Sequence, residues 1–440
     1  MRREGRLAGP EAGRLAEGAL AGLGRRLSTS FLVAVIGRLM QLAMTVLLAR
    51  QLGTAGYGTF AFALGVATIA AQFGSLGWPA LAMRRLPEYL VGNNLGLLRG
   101  FLRAGTVAVL TGGTAVAMLL WAGSNLPGAR ETATGLGLAA AMILPMALRL
   151  LRRGELAGLH RPASGLAFDE IIAPGAVAAV ALILPFADAG GVAMIYVAGS
   201  LIGICIATVA VAGAIPPAAK SERPKMNTGL WITAALPLLL GLSSRALMSR
   251  TDLIMLAPLS NMEQVGLYGA AMRMTYVLTF PQVVLMTALS PVFSDLLARG
   301  LVDQVRRQLV WALAGGVAVS VPFLTAALPF RDSLVSTVFG AGFAGSASTF
   351  VILAIAQAAT ALSIPCSALL VAAGSQKAFG ATNAFAFAGN VGLNLWLIPE
   401  WGALGAAIAT ALCSCLLLGA QGEVVRRDFF RFNRQEGQAS

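Results

Sequence analysis

Apolar runs long enough to cross a bilayer recur from one end of this chain to the other, and they restrict its folding more than any other feature. In hydrocarbon every backbone N–H and C=O must be satisfied within the protein. A run of roughly 18 or more apolar residues is therefore built as an α-helix. Such runs begin near Phe31, Gly58, Gly100, Thr132, Ile171, Val192, Gly229, Val265, Leu309, Phe350, Ala378 and Gly402, the fifth being short. Barrel strands would instead read as segments of about ten residues with alternating polarity. Of the 440 residues 57% are hydrophobic and 12% charged, against roughly a quarter charged in a soluble domain. The predicted fold is an all-α polytopic membrane protein with about twelve transmembrane helices.

Basic residues decide the orientation. They crowd every second loop: Arg84, Arg85, Arg99 and Arg103, then Arg149, Arg152, Arg153 and Arg161, then Lys220, Arg223 and Lys225, then Arg299, Arg306 and Arg307, then Lys377. The loops between carry only Arg50, Arg130, Arg250 and Arg331. Cytoplasmic loops retain Lys and Arg, so both termini are expected in the cytoplasm. The net charge of +13 follows from this topology, with attraction to anionic membrane lipids as a secondary effect. No basic run is combined with stacking aromatics, so nucleic acid is not an expected partner. Glu4, Glu11 and Glu17 interrupt the first residues, which read as a basic cytosolic tail (1–28) rather than a signal peptide. Trp78, Trp121, Trp231, Trp311, Trp396 and Trp401 fall near span ends, where interfacial anchoring is expected.

The longest polar linker, 216–228, divides the chain into predicted six-helix lobes at 29–215 and 229–425, followed by a cytosolic tail at 426–440. The lobes read as parallel repeats. Leu48-Ala49-Arg50-Gln51-Leu52-Gly53 through Tyr57-Gly58 follows the first span, and Leu256-Ala257-Pro258-Leu259 through Val265-Gly266 follows the seventh. Gly191-Val192-Ala193 and Gly402-Ala403-Leu404 offer a second match. Many transporters are built from such repeats, with the substrate site between them.

These stretches resemble the polysaccharide flippases of the multidrug/oligosaccharidyl-lipid/polysaccharide exporter superfamily. The likeness rests on Leu48-Ala49-Arg50-Gln51-Leu52-Gly53, on Tyr57-Gly58-Thr59-Phe60, on Asp252 with Gly266-Leu267-Tyr268, and on Gly77-Trp78-Pro79-Ala80 before Arg84-Arg85. It implies a MATE-like exporter fold whose lobes flank a cavity open alternately to each side. It also implies a task, moving a lipid-linked oligosaccharide, usually on undecaprenyl pyrophosphate, to the outer leaflet of a bacterial inner membrane. Lipid II is disfavoured as substrate, because the chain stops at about twelve spans and has Met44 where lipid II flippases carry a further basic residue.

Charges inside spans are costly and mark function. Arg38 lies about nine residues, roughly 13 Å, into the first span, and Arg245 lies near the middle of the seventh. In the ungapped repeat alignment Arg38 falls opposite Ala246, beside Arg245. Both are candidate pyrophosphate ligands, since arginine replaces lost hydration with forked hydrogen bonds. Snorkelling to the interface is the bland alternative for Arg38. Asp252 and Arg273 lie at similar depths on successive spans. They are read as an ion pair, either structural or coupling transport to H+ or Na+. Arg245, Ser249 and Asp252 share a helical face by spacing, and Arg250 is expected on another. Pro145, Pro237, Pro281 and Pro365 are hinges or merely tolerated. Gly199 and Gly203 suggest close helix packing.

Enzyme chemistry finds little support. His160 is the sole histidine and is expected in a cytosolic loop. Asp169-Glu170 lacks further metal ligands at suitable spacing. Cys205, Cys366, Cys413 and Cys415 read as small hydrophobes, with Cys413 and Cys415 on different helix faces. Gly53 to Gly58 lacks the Lys-Ser/Thr of a nucleotide loop. No cofactor or metal is expected. The expected function is a non-enzymatic flippase acting with glycosyltransferases and a glycan polymerase. The alternatives are a multidrug exporter of the same superfamily and a non-transporting scaffold for glycan assembly.

Overall fold

The computed structural model describes residues 10–126 and 132–427, with side chains from residue 29 onward apart from several positions between 240 and 291. Among the described residues there are helices and no strand. In order they are α1 (Pro10–Gly74), α2 (Trp78–Val91), α3 (Leu95–Ser124), α4 (Ala133–Gly158), α5 (Pro162–Glu170), α6 (Ile172–Ile183), α7 (Ala189–Ala214), α8 (Pro217–Ser221), α9 (Thr228–Met248), α10 (Thr251–Leu259), α11 (Met262–Ala298), α12 (Val302–Phe339), a 3₁₀ turn (Ala341–Ser346), α13 (Ala347–Ala372) and α14 (Gln376–Val425). Eight helical segments among the described residues are long and apolar enough to span a bilayer. Helix α1 runs unbroken from Pro10 into the first span, so the expected tail is continuous with it over its described part.

Helices α1 and α14 each supply two passes, because each bends sharply at one glycine. Gly53 has φ 68° and Gly402 φ 52°, values that a side chain with a Cβ rarely adopts. Met44 and Thr45 before the first bend line the same pocket as Phe60 and Ala61 after it, so the chain turns back on itself. Around the second bend, Asn394 and Thr410 both bond to Asp252. The fifth pass is α5 and α6, interrupted at Ile171, and the seventh is α9 and α10, interrupted at Arg250. Pro145, Pro237 and Pro365 lie inside continuous helices rather than at these breaks, and Pro281 is outside the described side chains. Helix α7 packs on α5 and α6 through Gly199 against Ala173 and Ala176, and through Gly203 against Phe168 and Ile172. That contact supports the packing reading of the two glycines.

Two lobes result. Helices α1 to α7 pack among themselves, as do α10 to α14, and α1 lies along α11 between them. Helix α9 packs against α1 and α2, whereas its continuation α10 packs against α11 and α14. The seventh pass therefore crosses from one lobe to the other at its break.

Cross-links show which connections share an end. Gln51 donates to the Ala181 carbonyl at 2.6 Å and accepts from the Phe186 N–H at 3.1 Å. Gln264 accepts from the Ala403 N–H at 2.9 Å, and Arg50 donates to the Val338 carbonyl at 3.0 Å. These bonds gather the arginine-poor connections at one end. At the other end the Lys225 N–H donates to the Gly96 carbonyl at 2.8 Å, and Arg99 donates to the carbonyls of Lys220 and Glu222.

Two tryptophans depart from the interfacial expectation. Trp121, Trp311, Trp396 and Trp401 are exposed, but Trp78 and Trp231 are 1% and 0% exposed. They form an aromatic cluster with Phe101, with ring centroids 5.4 to 6.4 Å apart, and the Trp231 indole donates to the Tyr89 hydroxyl at 2.8 Å. The cluster fastens α9 to α2 and α3, so these indoles are used for packing between lobes rather than for anchoring.

Candidate functional site

The cleft between the lobes holds a group of arginines with no acid paired to them among the described residues. Arg38 comes from the first pass, Arg250 from the break between α9 and α10, and Arg273 from α11. Arg273 and Arg38 both lie over the Tyr276 ring, their guanidinium carbons 5.1 and 5.9 Å from its centroid. Arg250 lies within electrostatic range of the same phenol and of both other guanidinium groups. Arg273 donates to Gln41 Oε1 at 3.2 Å and lies within hydrogen-bonding reach of the Tyr57 phenol. Arg250 and Arg273 line a small pocket with Thr45, Tyr57, Phe60 and Leu64.

No ion pair among the described residues involves Arg38, Arg250 or Arg273. Burying an unpaired cation costs several kcal/mol on general grounds, and Arg273 is only 8% exposed. Aromatic faces and amide oxygens offset part of that cost but leave the positive field standing. Such a field favours a polyanion and repels cations.

The pairing expected between Asp252 and Arg273 is not found, and each has other partners. Similar depth on successive helices does not fix the direction in which each side chain points. Arg273 points toward α1, whereas Asp252 points into the second lobe. There Asp252 Oδ2 accepts from the Tyr268 hydroxyl at 2.7 Å and the Thr410 hydroxyl at 2.6 Å, and Oδ1 accepts from Asn394 Nδ2 at 2.7 Å. Asn394 Nδ2 also donates to Asn390 Oδ1 at 3.1 Å. Asn394 is fully buried and its own Oδ1 has no partner. The result is a carboxylate and several neutral oxygens gathered, with no arginine or lysine among the described side chains bonded to the carboxylate.

Of the two expected pyrophosphate ligands, the structure puts Arg38 in the cleft, exposed and facing Tyr276 of the other lobe. The Arg245 side chain lies outside the described residues. Arg250 was expected on a different face, but the helix break re-phases the residues after Ser249 and brings Arg250 to the pocket. Neither glycine nor proline marks this break in the sequence.

A second charged cluster lies at the arginine-rich end of the first lobe. Arg149, assigned to a basic loop by sequence, is buried within α4. Its Nε donates to Asp169 Oδ1 at 3.1 Å, and its other nitrogens donate to the Ser200 and Tyr196 hydroxyls. Arg153 donates to Asp169 Oδ2 at 2.9 Å and to Glu170 Oε1 at 3.4 Å. Asp169 and Glu170 are thereby engaged by arginines. His160 is exposed in the turn after α4, in the left-handed conformation at φ 62°. Cys413 is buried and Cys415 exposed, on different faces as their spacing requires.

The sequence profile of the family described as polysaccharide biosynthesis protein matches residues 23–297. No curated protein matches the chain. An inward-facing multidrug resistance MATE family transporter of the MOP superfamily superposes with a TM-score of 0.71 at 13% identity, covering 90% of this chain and 96% of the other. The lipid II flippase MurJ in an inward closed conformation gives 0.66 at 13% identity, covering 90% and 87%. A MOP superfamily transporter from Pyrococcus furiosus, described as having a binding pocket of reverse polarity, gives 0.62 at 15% identity, covering 92% and 94%. Twelve passes in two lobes are thus the MATE-like exporter fold.

Proposed function

This chain belongs to the polysaccharide biosynthesis protein family and is a multi-pass membrane protein, and from that premise we propose that it flips a polyprenyl-diphosphate-linked oligosaccharide across the bacterial inner membrane by alternating access. The observation that carries the reading is the cluster of Arg38, Arg250 and Arg273 between the lobes, to which no acid is paired among the described residues. A diphosphate must shed water to cross, and guanidinium forks replace those hydrogen bonds while neutralising charge. Arg245, one turn before the break in the seventh pass, is assigned to the same anion path. A cationic drug would meet repulsion in this pocket, which ranks the drug exporter second. The arginine-rich end faces the cytoplasm, where glycosyltransferases supply the substrate. A glycan polymerase consumes it on the far side.

Asp252 is the coupling site in this reading. Its carboxylate, with Asn390, Asn394 and Thr410 as neutral oxygen donors, suits Na+ as a hard cation, and protonation of Asp252 is the other way to neutralise it. Arg273, bonded to Gln41 rather than to Asp252, serves the anion.

The test is transport in proteoliposomes holding a fluorescent polyprenyl-diphosphate oligosaccharide. The Arg38→Gln/Arg250→Gln/Arg273→Gln variant, reconstituted to wild-type density, is expected to lose flipping. Intact flipping in that variant removes the reading. For coupling, Asp252→Asn is expected to abolish acceleration by an imposed Na+ or proton gradient, and whichever gradient drives the wild type identifies the ion.

A further inference from the structure

At the arginine-poor end the lobes touch backbone to backbone. Gly58 opens the second pass and Gly266 lies in the first turns of α11, at matching places in the repeated stretches 48–58 and 256–266. A Cβ built on Gly58 would overlap the Met262 carbonyl oxygen, and one built on Gly266 would overlap the Thr54 carbonyl oxygen. Thr54 precedes Gly58 by four residues, and Met262 precedes Gly266 by four. Each helix therefore offers its glycine to the carbonyl one turn ahead of the other's glycine. A reciprocal contact between equivalent residues is the signature of a local two-fold axis, and the contact of Gly58 with Gly266 has that symmetry.

A second contact joins the lobes beside the first. Arg50 reaches from the end of the first pass to the last turn of α12, donating through Nε to the Val338 carbonyl at 3.0 Å and through Nη2 to the Thr337 carbonyl. Last-turn carbonyls lack helical partners and form the negative pole of the helix. A guanidinium from one lobe thus caps a helix of the other. Neither contact uses the anion cluster, and both can part without breaking a helix.

We propose that Gly58 and Gly266 form the contact on which the outer face closes, with Arg50 as its latch, and that opening this face separates the glycines and frees Arg50 from α12. The inference rests on the two-lobe alternating-access reading but not on the identity of the substrate. Only glycine permits the approach, because any Cβ at either position meets a main-chain oxygen that cannot rotate away.

Thiol labelling tests it. Leu64 is buried, lies on the same helix inward of Gly58 and lines the central pocket. In a Leu64→Cys chain on intact cells, a membrane-impermeant maleimide reports opening of the outer face, with labelling of the unmodified chain subtracted. Gly58→Ala and Gly266→Ala are each expected to raise the labelling rate severalfold. Gly123→Ala, where an added methyl meets nothing within 4 Å, is expected to leave it unchanged. Unchanged labelling in both alanine variants at wild-type abundance overturns the proposal. Should those variants fail to accumulate, Arg50→Gln decides: faster labelling supports the latch and unchanged labelling overturns it. Flipping lost in the arginine variants of the cleft would not alter these outcomes, so the two readings fail separately.

Discussion

Neutralising Arg273 should leave the empty protein no less stable while depriving it of its anion. Arg273 and Arg38 lie 5.1 and 5.9 Å from one ring centroid, so their charge centres are no more than 11 Å apart. At an effective dielectric near 20 that separation implies repulsion of at least about 1.5 kcal/mol before screening, reduced by salt at the exposed Arg38. Arg273→Gln relieves this repulsion and retains an amide donor for Gln41, at the loss of a cation–π contact of about 1 kcal/mol. The two changes nearly cancel, so the melting temperature of the purified protein is expected to stay within a few degrees of wild type or to rise. A hydrogen bond to a charged group contributes about 1.5 to 3 kcal/mol, which corresponds to roughly 10- to 150-fold weaker binding. Scanning fluorimetry across a pyrophosphate titration reads both quantities. A melting temperature well below wild type, with the pyrophosphate response intact, would show that Arg273 is a structural residue and refute the argument.

Three further outcomes follow from other sites. Asp252→Asn leaves donors from Tyr268, Thr410 and Asn394 facing a neutral amide, and should cost about 1 to 3 kcal/mol. Na+-dependent thermal stabilisation, if the wild type shows it, should vanish with it, and its persistence would place the cation elsewhere. Trp231→Ala removes a fully buried indole and its bond to Tyr89, for an expected loss of about 3 to 5 kcal/mol. Trp311→Ala at an exposed site should change stability little, and equal losses would deny the interlobe role of the cluster. Arg149→Met takes the donor from Asp169 Oδ1 and leaves the carboxylate to Arg153 alone, and should destabilise by about 1 to 3 kcal/mol; Arg149→Met/Asp169→Leu should recover much of it. Failure of the double substitution to recover more than the single would show that the pair does more than neutralise itself.

The passes were legible because length and apolarity fix them locally, and the two glycine bends fall between predicted spans for the same reason. Arg38 could be found because an isolated charge within an apolar run is visible without knowing its neighbours. Arg250 could not. A uniform helical phase does not hold across Ser249-Arg250-Thr251, where the helix stops without the punctuation of glycine or proline. Asp252 and Arg273 show a different limit, since counting residues gives height in the membrane but not the direction around the helix axis. Trp78 and Trp231 show a third, because a tryptophan near a span end reads the same whether it meets lipid or another lobe.

The break in the seventh pass puts a charge at a joint. Arg250 sits where α9, held by one lobe, hands over to α10, held by the other, and its side chain lines the central pocket. In the proposed function, detection and movement therefore share a residue. Long-range communication in proteins usually demands a chain of intermediaries, each with two arrangements. Here the message has no distance to travel: an anion that pulls on Arg250 applies its force at the pivot itself, and so alters the angle between two bodies without any relay.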